Sequence, residues 1–401
     1  MQHVSATRAV FVLTLILAGV GVLATGCSSS SQAPAPAPTP DPAPAGPALS
    51  FLYTTPSQGL VLHDARTDTS RTLVPNASHD GTYARSSSGR YLAFTYTTSD
   101  SVHLALLDLP NRTMTTVDRR PASATYSLAW HPQADRLAFA YYTPVRSGTR
   151  GPGNVFVTTP NGDPRDVGCS AAREVLHWLP DESLATRNDD NLYVVAPGDC
   201  ATRAAADARR MRHATYAPTG DRLAYIYREL TYERADNEYT PDSSLFLSDP
   251  QGRNAEELLG HERRVRHLRW APDASELAFD AQVEASGHRQ VVTYNTESDR
   301  TVYLTPPRQA TGDQVRPRWS PSASHIAFTL RANGASTAAV RVEGQLRRLG
   351  PVDGGVWGWL DDRTLVVPGP DRLRVETLDG QTRYTPPAPA TLIYAWSRTP
   401  A

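Results

Sequence analysis

Lysine is absent from this chain. All 40 basic residues are arginine, set against 41 acidic residues, and the formal net charge is −1. Such a balance supplies no general field for gripping a nucleic-acid backbone, so no nucleic-acid partner is expected. Any positive patch has to be sought locally. Cysteine is scarce, with three residues in 401, and none forms a CxxC pair or sits in a histidine-rich stretch suited to a metal. Signatures of catalysis are missing too. There is no GxSxG elbow, no HExxH, no P-loop and no glycine-rich dinucleotide fingerprint. No long amphipathic helix pattern occurs after residue 48, and no apolar run after residue 23 is long enough to span a bilayer.

What is present begins at the N-terminus. Arg8 precedes an apolar run of about fifteen residues, Ala9 to Leu23. That is short for a membrane span, which needs roughly twenty, and it suits a signal-peptide core. The run ends Leu23-Ala24-Thr25-Gly26-Cys27, which resembles the bacterial lipobox. The resemblance implies lipidation of Cys27 as the mature N-terminus. An uncleaved anchor or a plain secretory signal are the alternatives. Several acyl chains on one cysteine hold a protein far better than a single chain does. Ser28 to Pro47 reads SSSSQAPAPAPTPDPAPAGP, a composition that buries no core and favours extended polyproline II. At ~3.1 Å per residue it would reach up to roughly 60 Å from the lipid. The expected division is therefore 1–27 signal peptide with its lipobox cysteine, 28–48 linker, and 49–398 the folded part. Its place is the cell envelope, outside the inner membrane, with the lipid as its one membrane contact.

The remaining chain repeats itself. LAWHPQADRLAF (128–139), LRWAPDASELAF (268–279) and PRWSPSASHIAF (317–328) share one register, and ATYAPTGDRLAY (214–225) follows it. Shortened copies start at Trp178 and Trp359, and a degraded one runs from Arg85 to Phe94. The aromatic anchors at 130, 178, 216, 270, 319, 359 and 396 are separated by 48, 38, 54, 49, 40 and 37 residues. A period near 44 belongs to propeller blades of four strands. Each copy makes physical sense. An aromatic ends an inner strand, where its bulk fills the space between sheets. Proline then presets a tight turn that Asp, Ser, Thr or Gly completes. The next strand, Leu-Ala-Phe or Ile-Ala-Phe, is apolar throughout, as a strand covered on both faces should be.

These residues resemble the TolB-like propeller repeat, a bacterial relative of the WD repeat with the core W-S-P-D-G-x-x-I/L-A-F. The likeness covers residues 49 to 398 and implies an all-β fold, a single β-propeller. TolB itself carries an α/β domain before its propeller, and nothing of that kind fits between Pro47 and the first strand. Strands around Ser50–Thr54, Leu60–His63 and Arg71–Val74 form a blade lacking its inner strand, and Thr391–Ser397 is an inner strand lacking a blade. Pairing of these N- and C-terminal strands would close the ring and protect its edges. The count is eight four-stranded blades, or seven if the short copy at 173–205 is an irregular insertion.

Cys169 and Cys200 flank that short copy. An oxidising compartment favours a disulfide between them, with two separate thiols as the alternative. More telling is a cluster before three successive inner strands, reading RRMRH (209–213), RRVRHLR (263–269) and RPR (316–318). Counting back from the aromatic, His213, His267 and Arg316 are equivalent, and Arg269 and Arg318 share another position two residues on. Together with Arg212 and Arg266 they form a candidate binding rim. Two long loops, Val145 to Gly153 and Glu229 to Ser243, are expected on the same rim. Arginine's planar fork engages carboxylates bidentately, so an acidic envelope protein, peptide or glycan is the expected partner of a monomeric, cofactor-free, non-catalytic scaffold. Pairing of these arginines with Asp207 and Glu262 is the structural alternative. The functional alternative is a channel-centred polysaccharide lyase or hydrolase. Some propeller enzymes, such as oligogalacturonate lyases, hold a channel metal with several histidines, and His177, His213 and His267 are the candidates here. Asn188-Asp-Asp-Asn191 lacks the spacing of a calcium loop and reads as a polar hairpin turn.

Overall fold

An aromatic side chain at or near the end of most inner strands, followed by a tight turn, marks a radial array. A computed structural model of the chain describes residues 49–79, 81–143, 154–167, 172–196, 199–207, 209, 211–232, 239–260, 263–342, 345–353, 358–369, 372–385 and 391–397. They form eight four-stranded antiparallel sheets, and no α-helix occurs among them. The copy at 173–205 is a full blade, so the count is eight and not seven.

Blades are numbered here in chain order. Blade 1 joins Leu49–Thr55, Gly59–Asp64 and Thr69–Val74 to the C-terminal strand Thr391–Ser397. Leu49 pairs with Ser397 and Thr54 with Thr391, so the two ends of the ring share one sheet as expected. Inner strands of blades 2 to 8 are Tyr83–Arg85, Thr125–Trp130, Glu174–Trp178, Met211–Tyr216, Arg266–Trp270, Asp313–Trp319 and Gly358–Asp361. From blade 2 onward each inner strand touches the next, and the last touches Thr391–Ser397. Tyr394 in blade 1 packs on Tyr83 in blade 2 with ring centroids 5.9 Å apart, completing the circle.

A repeated hydrogen bond explains why the aromatic recurs. The indole Nε1–H of Trp130, Trp178, Trp270, Trp319 and Trp359 donates to the carbonyl of Ala84, Ala129, Thr215, Arg269 and Arg318, at 2.9–3.1 Å. In every case the acceptor is the residue just before the anchor position of the preceding blade. The indole body fills the cleft between sheets while its one polar atom is satisfied, which is what a buried tryptophan requires. Trp178 is fully buried. Tyr216 has no indole, and its hydroxyl donates instead to the Pro250 carbonyl at 2.9 Å.

The turn after the anchor is equally regular. The fourth residue on is left-handed in five copies: Gly89, Glu182, Gly220, Ala274 and Ala323. Its amide donates back three residues, at 2.8–3.0 Å. Glycine suits such a position best. At Gly220 it is also a matter of space, because a Cβ there would come within 2.8 Å of the Trp178 carbonyl oxygen.

The second strands, such as Leu137–Tyr142, Glu276–Val283 and Ile326–Ala332, are buried along most of their length. The core is accordingly a set of apolar layers between adjacent blades. One such layer sets Ile226 and Leu245 of blade 5 against Leu268, Leu277 and Phe279 of blade 6. One expectation changes. Much of Glu229 to Ser243, read as a loop, is strand, because Leu223–Tyr232 pairs with Tyr239–Ser248 in a long hairpin. The Val145 to Gly153 loop lies outside the described residues, as do the signal segment, Cys27 and the linker.

Candidate functional site

Three successive inner strands carry the same irregularity at their entry. The pairing register slips between Arg212 and Thr215 in blade 5, between Arg266 and Arg269 in blade 6, and between Val315 and Arg318 in blade 7. Within each slip one residue adopts a left-handed backbone: His213 (φ 51°), His267 (φ 55°) and Arg316 (φ 59°). These are the three residues that sequence counting placed in one equivalent position. They form a repeated β-bulge, a device that re-aims side chains at a sheet end. A left-handed residue other than glycine costs about 1–2 kcal/mol, so three bulges in a row have to be held.

What holds two of them is Asp280, on the second strand of blade 6. Its carboxylate is fully buried. One oxygen accepts from Arg289 Nε at 2.8 Å and Nη2 at 2.6 Å. The other lies 2.5 Å from His267 Nδ1 and accepts the backbone N–H of Arg316 at 3.1 Å. Arg289 also donates to the Arg264 carbonyl at 2.7 Å. One carboxylate thus fixes the bulges of blades 6 and 7 to each other and to the segment entering the rim. Sequence reasoning missed it. The signal was present, however, because Asp280 is a charge in a strand that elsewhere continues with Thr95, Ala140, Ile226 or Thr329.

The third bulge opens on a cavity of about 370 Å³ bounded by Arg187, Asn188, Asp189, Arg209, Met211, Arg212 and His213. Burial lowers the His213 pKa below the ordinary histidine range, and the neighbouring His267, Arg269, Arg187 and Arg212 lower it further. Among the described residues Arg212 donates to the carbonyls of Arg209 and Met211, at 3.3 and 3.2 Å. Asn188 caps the adjacent hairpin, its side-chain oxygen accepting from the amides of Asp190 and Asn191 at 2.9 Å each. The polar-turn reading of 188–191 therefore holds. Among the described residues, no ion pair includes Arg212, Arg266, Arg269, Arg316 or Arg318, whereas Arg187 pairs with Glu174 and Arg289 with Asp280. The side chains of Asp207 and Glu262, the proposed structural partners, lie outside what is described.

The structure divides the predicted rim in two. Arg212, His213, Arg266, His267 and Arg316 sit at the entry of the inner strands. Arg269 and Arg318 sit further along those strands, next to the aromatic anchors, and turn into the channel. Burial and the neighbouring Arg318 push the Arg269 pKa down to about 10, while Tyr83 from blade 2 partly offsets this. Burial also lowers Arg318, and Tyr83 opposes that shift as well. Blade 2 is four blades away from blade 6 in a ring of eight, so Tyr83 faces these arginines across the axis. At the far mouth of the channel lies a cavity of about 460 Å³, its wall drawn from blades 2 to 6 and including Arg85, Trp130, His177, Tyr216, Trp270 and Arg269.

The three histidines do not converge. His177 stacks on Tyr216 at 5.6 Å at the far mouth, while His213 and His267 are at the rim. Among the described residues no three His, Cys, Asp or Glu side chains group as metal ligands do. Cys169 lies outside the described residues, and Cys200 belongs by its backbone to the strand Asp199–Asp207.

Burial holds the His177 pKa below its ordinary 6.5. The folded state therefore favours the neutral ring, and this contribution to stability is complete above pH 6.5 and lost as pH falls through the lower folded value. We expect His177→Gln to flatten the dependence of Tm on pH between 7 and 5. Parallel Tm–pH curves for the two proteins would refute this.

No family model matches the chain, and no curated protein is similar to it in sequence. Solved structures are similar in fold. A eukaryotic initiation factor aligns at 14% identity over 86% of this chain and 97% of its own, with a TM-score of 0.52. Dipeptidyl peptidase 4 from Porphyromonas gingivalis aligns at 12% identity over 75% of this chain and 49% of its own, with a TM-score of 0.50. TolB from Acinetobacter baumannii aligns at 14% identity over 80% of this chain and 88% of its own, with a TM-score of 0.38. At such identities the likeness is one of fold, and it transfers neither partner nor activity. The class is an eight-bladed β-propeller, with TolB-like propellers among its structural neighbours.

Proposed function

We propose that this propeller is a non-catalytic binding scaffold of the cell envelope, tethered through Cys27, which engages an acidic protein, peptide or glycan at the rim of blades 5 to 7. The observation that carries the reading is the bulge series. Three non-glycine residues in left-handed backbone, Arg316 and the histidines that follow Arg212 and Arg266, repeat in three adjacent blades, and a buried Asp280–Arg289 pair holds two of the bulges in place. Strain that the surrounding structure maintains, next to cations with no acidic partner among the described residues, marks a surface built to meet something. Guanidinium forks lend themselves to carboxylates, because each makes two parallel hydrogen bonds.

The test is affinity capture from solubilised envelopes, with the full-length protein in detergent as bait. The control bait carries Arg212→Gln, Arg266→Gln and Arg316→Gln. We expect a partner held by the wild type, weakened by salt, and lost with the triple variant. Each lost charge-assisted contact should cost about 1.5–3 kcal/mol of binding. A partner retained equally by the triple variant would move the working face elsewhere. An empty capture would turn attention to the channel and to polysaccharide substrates.

A further inference from the structure

The described arginines fall into two groups. Some are held by carboxylates, as Arg289 is by Asp280, Arg374 by Glu376 and Arg112 by Asp64. Arg269 and Arg318 are not. Each immediately precedes the tryptophan anchor of its inner strand, so the two occupy one position in adjacent blades and enter the channel side by side. Arg269 donates to the carbonyl of its neighbour Leu268 at 2.8 Å, and Arg318 Nε is buried with no hydrogen-bond acceptor.

The fold does not require them. The same position holds Ala395, Ala84, Ala129 and Gly358 in blades 1, 2, 3 and 8, and those blades close the ring as well. The backbone carbonyls that accept the indole hydrogen bonds are available from any residue type. Arg269 is exposed and Arg318 half-buried, and two adjacent guanidiniums without a counter-ion among the described residues repel each other. Blade 2, opposite blade 6 in the ring, and its neighbour blade 1 complement this arrangement. Beside their small alanines they carry Tyr394 and Tyr83, one residue earlier, packed 5.9 Å apart. The channel is thus asymmetric, with arginines on one side and phenol hydroxyls on the other. The wall residues of the cavity at its far mouth include no carboxylate, and Arg85 adds a third cation.

We propose that the channel is a binding site for a carboxylate group, gripped by the paired forks of Arg269 and Arg318 and facing the hydroxyl of Tyr83. It is a second site, deeper than the rim. The ligand is an acidic small molecule, or the acidic end of a chain narrow enough to enter. Its carboxylate supplies a counter-charge that no ion pair among the described residues gives Arg269 and Arg318.

Isothermal titration of the full-length protein in detergent at low salt tests this, with glutarate as one probe and inorganic phosphate as the other. Glutarate should bind saturably, and roughly tenfold to a hundredfold more weakly in Arg269→Gln or Arg318→Gln. Affinity should be unchanged in Arg300→Gln, on the exposed outer strand of blade 6 and outside both sites. No glutarate binding by the wild type, or equal binding by the two channel variants, would overturn the proposal. Binding of phosphate without glutarate would overturn the carboxylate assignment. A second measurement separates binding from folding. Unliganded Arg269→Gln and Arg318→Gln should melt at or above the wild-type temperature, because each relieves a like-charge contact. A clear fall in Tm would make these arginines structural. The triple rim variant tests a different surface, so failure of the scaffold reading and failure of this one are distinguishable.

Discussion

Asp280→Ala is expected to cost about 3–5 kcal/mol of stability, the usual penalty for removing one partner of a buried ion pair. Its carboxylate is fully buried and takes hydrogen bonds from Arg289 twice, from His267 and from the Arg316 amide. With alanine in its place Arg289, itself largely buried, keeps its charge and loses its counter-ion. The Arg316 N–H and the His267 ring lose their acceptor, and the two left-handed bulges lose what fixes them. In a domain of this size the loss should lower Tm by on the order of 10 °C. Asp280→Asn separates the charge from the geometry. It keeps an oxygen acceptor for Arg316 but neither the negative charge nor acceptance at both oxygens, and should fall between wild type and alanine. Both variants should also weaken capture at the rim although Asp280 touches no partner, because the bulges that aim Arg266 and Arg316 depend on it. Thermal melts and captures with the same two proteins check both parts. Wild-type stability in Asp280→Ala would show that the bulges hold themselves.

The architecture was legible from the sequence because each blade writes the same rule in residues. The indole that fills an inter-blade cleft, the turn that follows it and the doubly covered strand are all local, and they recur near every 44 residues. The equivalence of His213, His267 and Arg316 was legible for the same reason, and it reappears as one bulge in three blades. Asp280 was not legible, because its importance depends on two strands of its own blade and one of the next. Only the fold brings Arg289, His267 and Arg316 to it. The division between rim and channel was likewise hidden. A register slip of one residue at the bulge breaks the alternation that spacing alone implied between His267 and Arg269, because Arg266 pairs with Asp280 and Arg269 with Ala278. The hairpin at 223–248 was read as partly loop because its outer half is polar.

Deleting residues 391–401 is expected to have the largest effect of all. The strand Thr391–Ser397 is the inner strand of blade 1, pairing with Leu49–Thr55 along its length. Ile393 and Trp396 are buried in the layer between blades 1 and 2, beside Leu52, Leu92 and Phe94. Ala395 packs on the other face with Phe51 and Val375. Losing a buried isoleucine side chain costs about 2–5 kcal/mol and a tryptophan about 3–5. Together these approach the roughly 5–15 kcal/mol by which a whole domain is stable. The truncated chain would also expose the edge of Leu49–Thr55, a fully buried strand with free backbone donors and acceptors. Such an edge is a template for pairing with other chains. The expected outcome is loss of a cooperative melt together with concentration-dependent aggregation by size-exclusion chromatography. Trp396→Ala alone should remove about 3–5 kcal/mol and leave a folded monomer. Addition of the peptide 391–397 in trans should restore part of the transition, because the missing strand is a complete structural unit. A truncated protein that melts cooperatively within a few degrees of the intact one would mean that seven blades stand without the eighth, and that pairing of the two termini is a seal rather than a support.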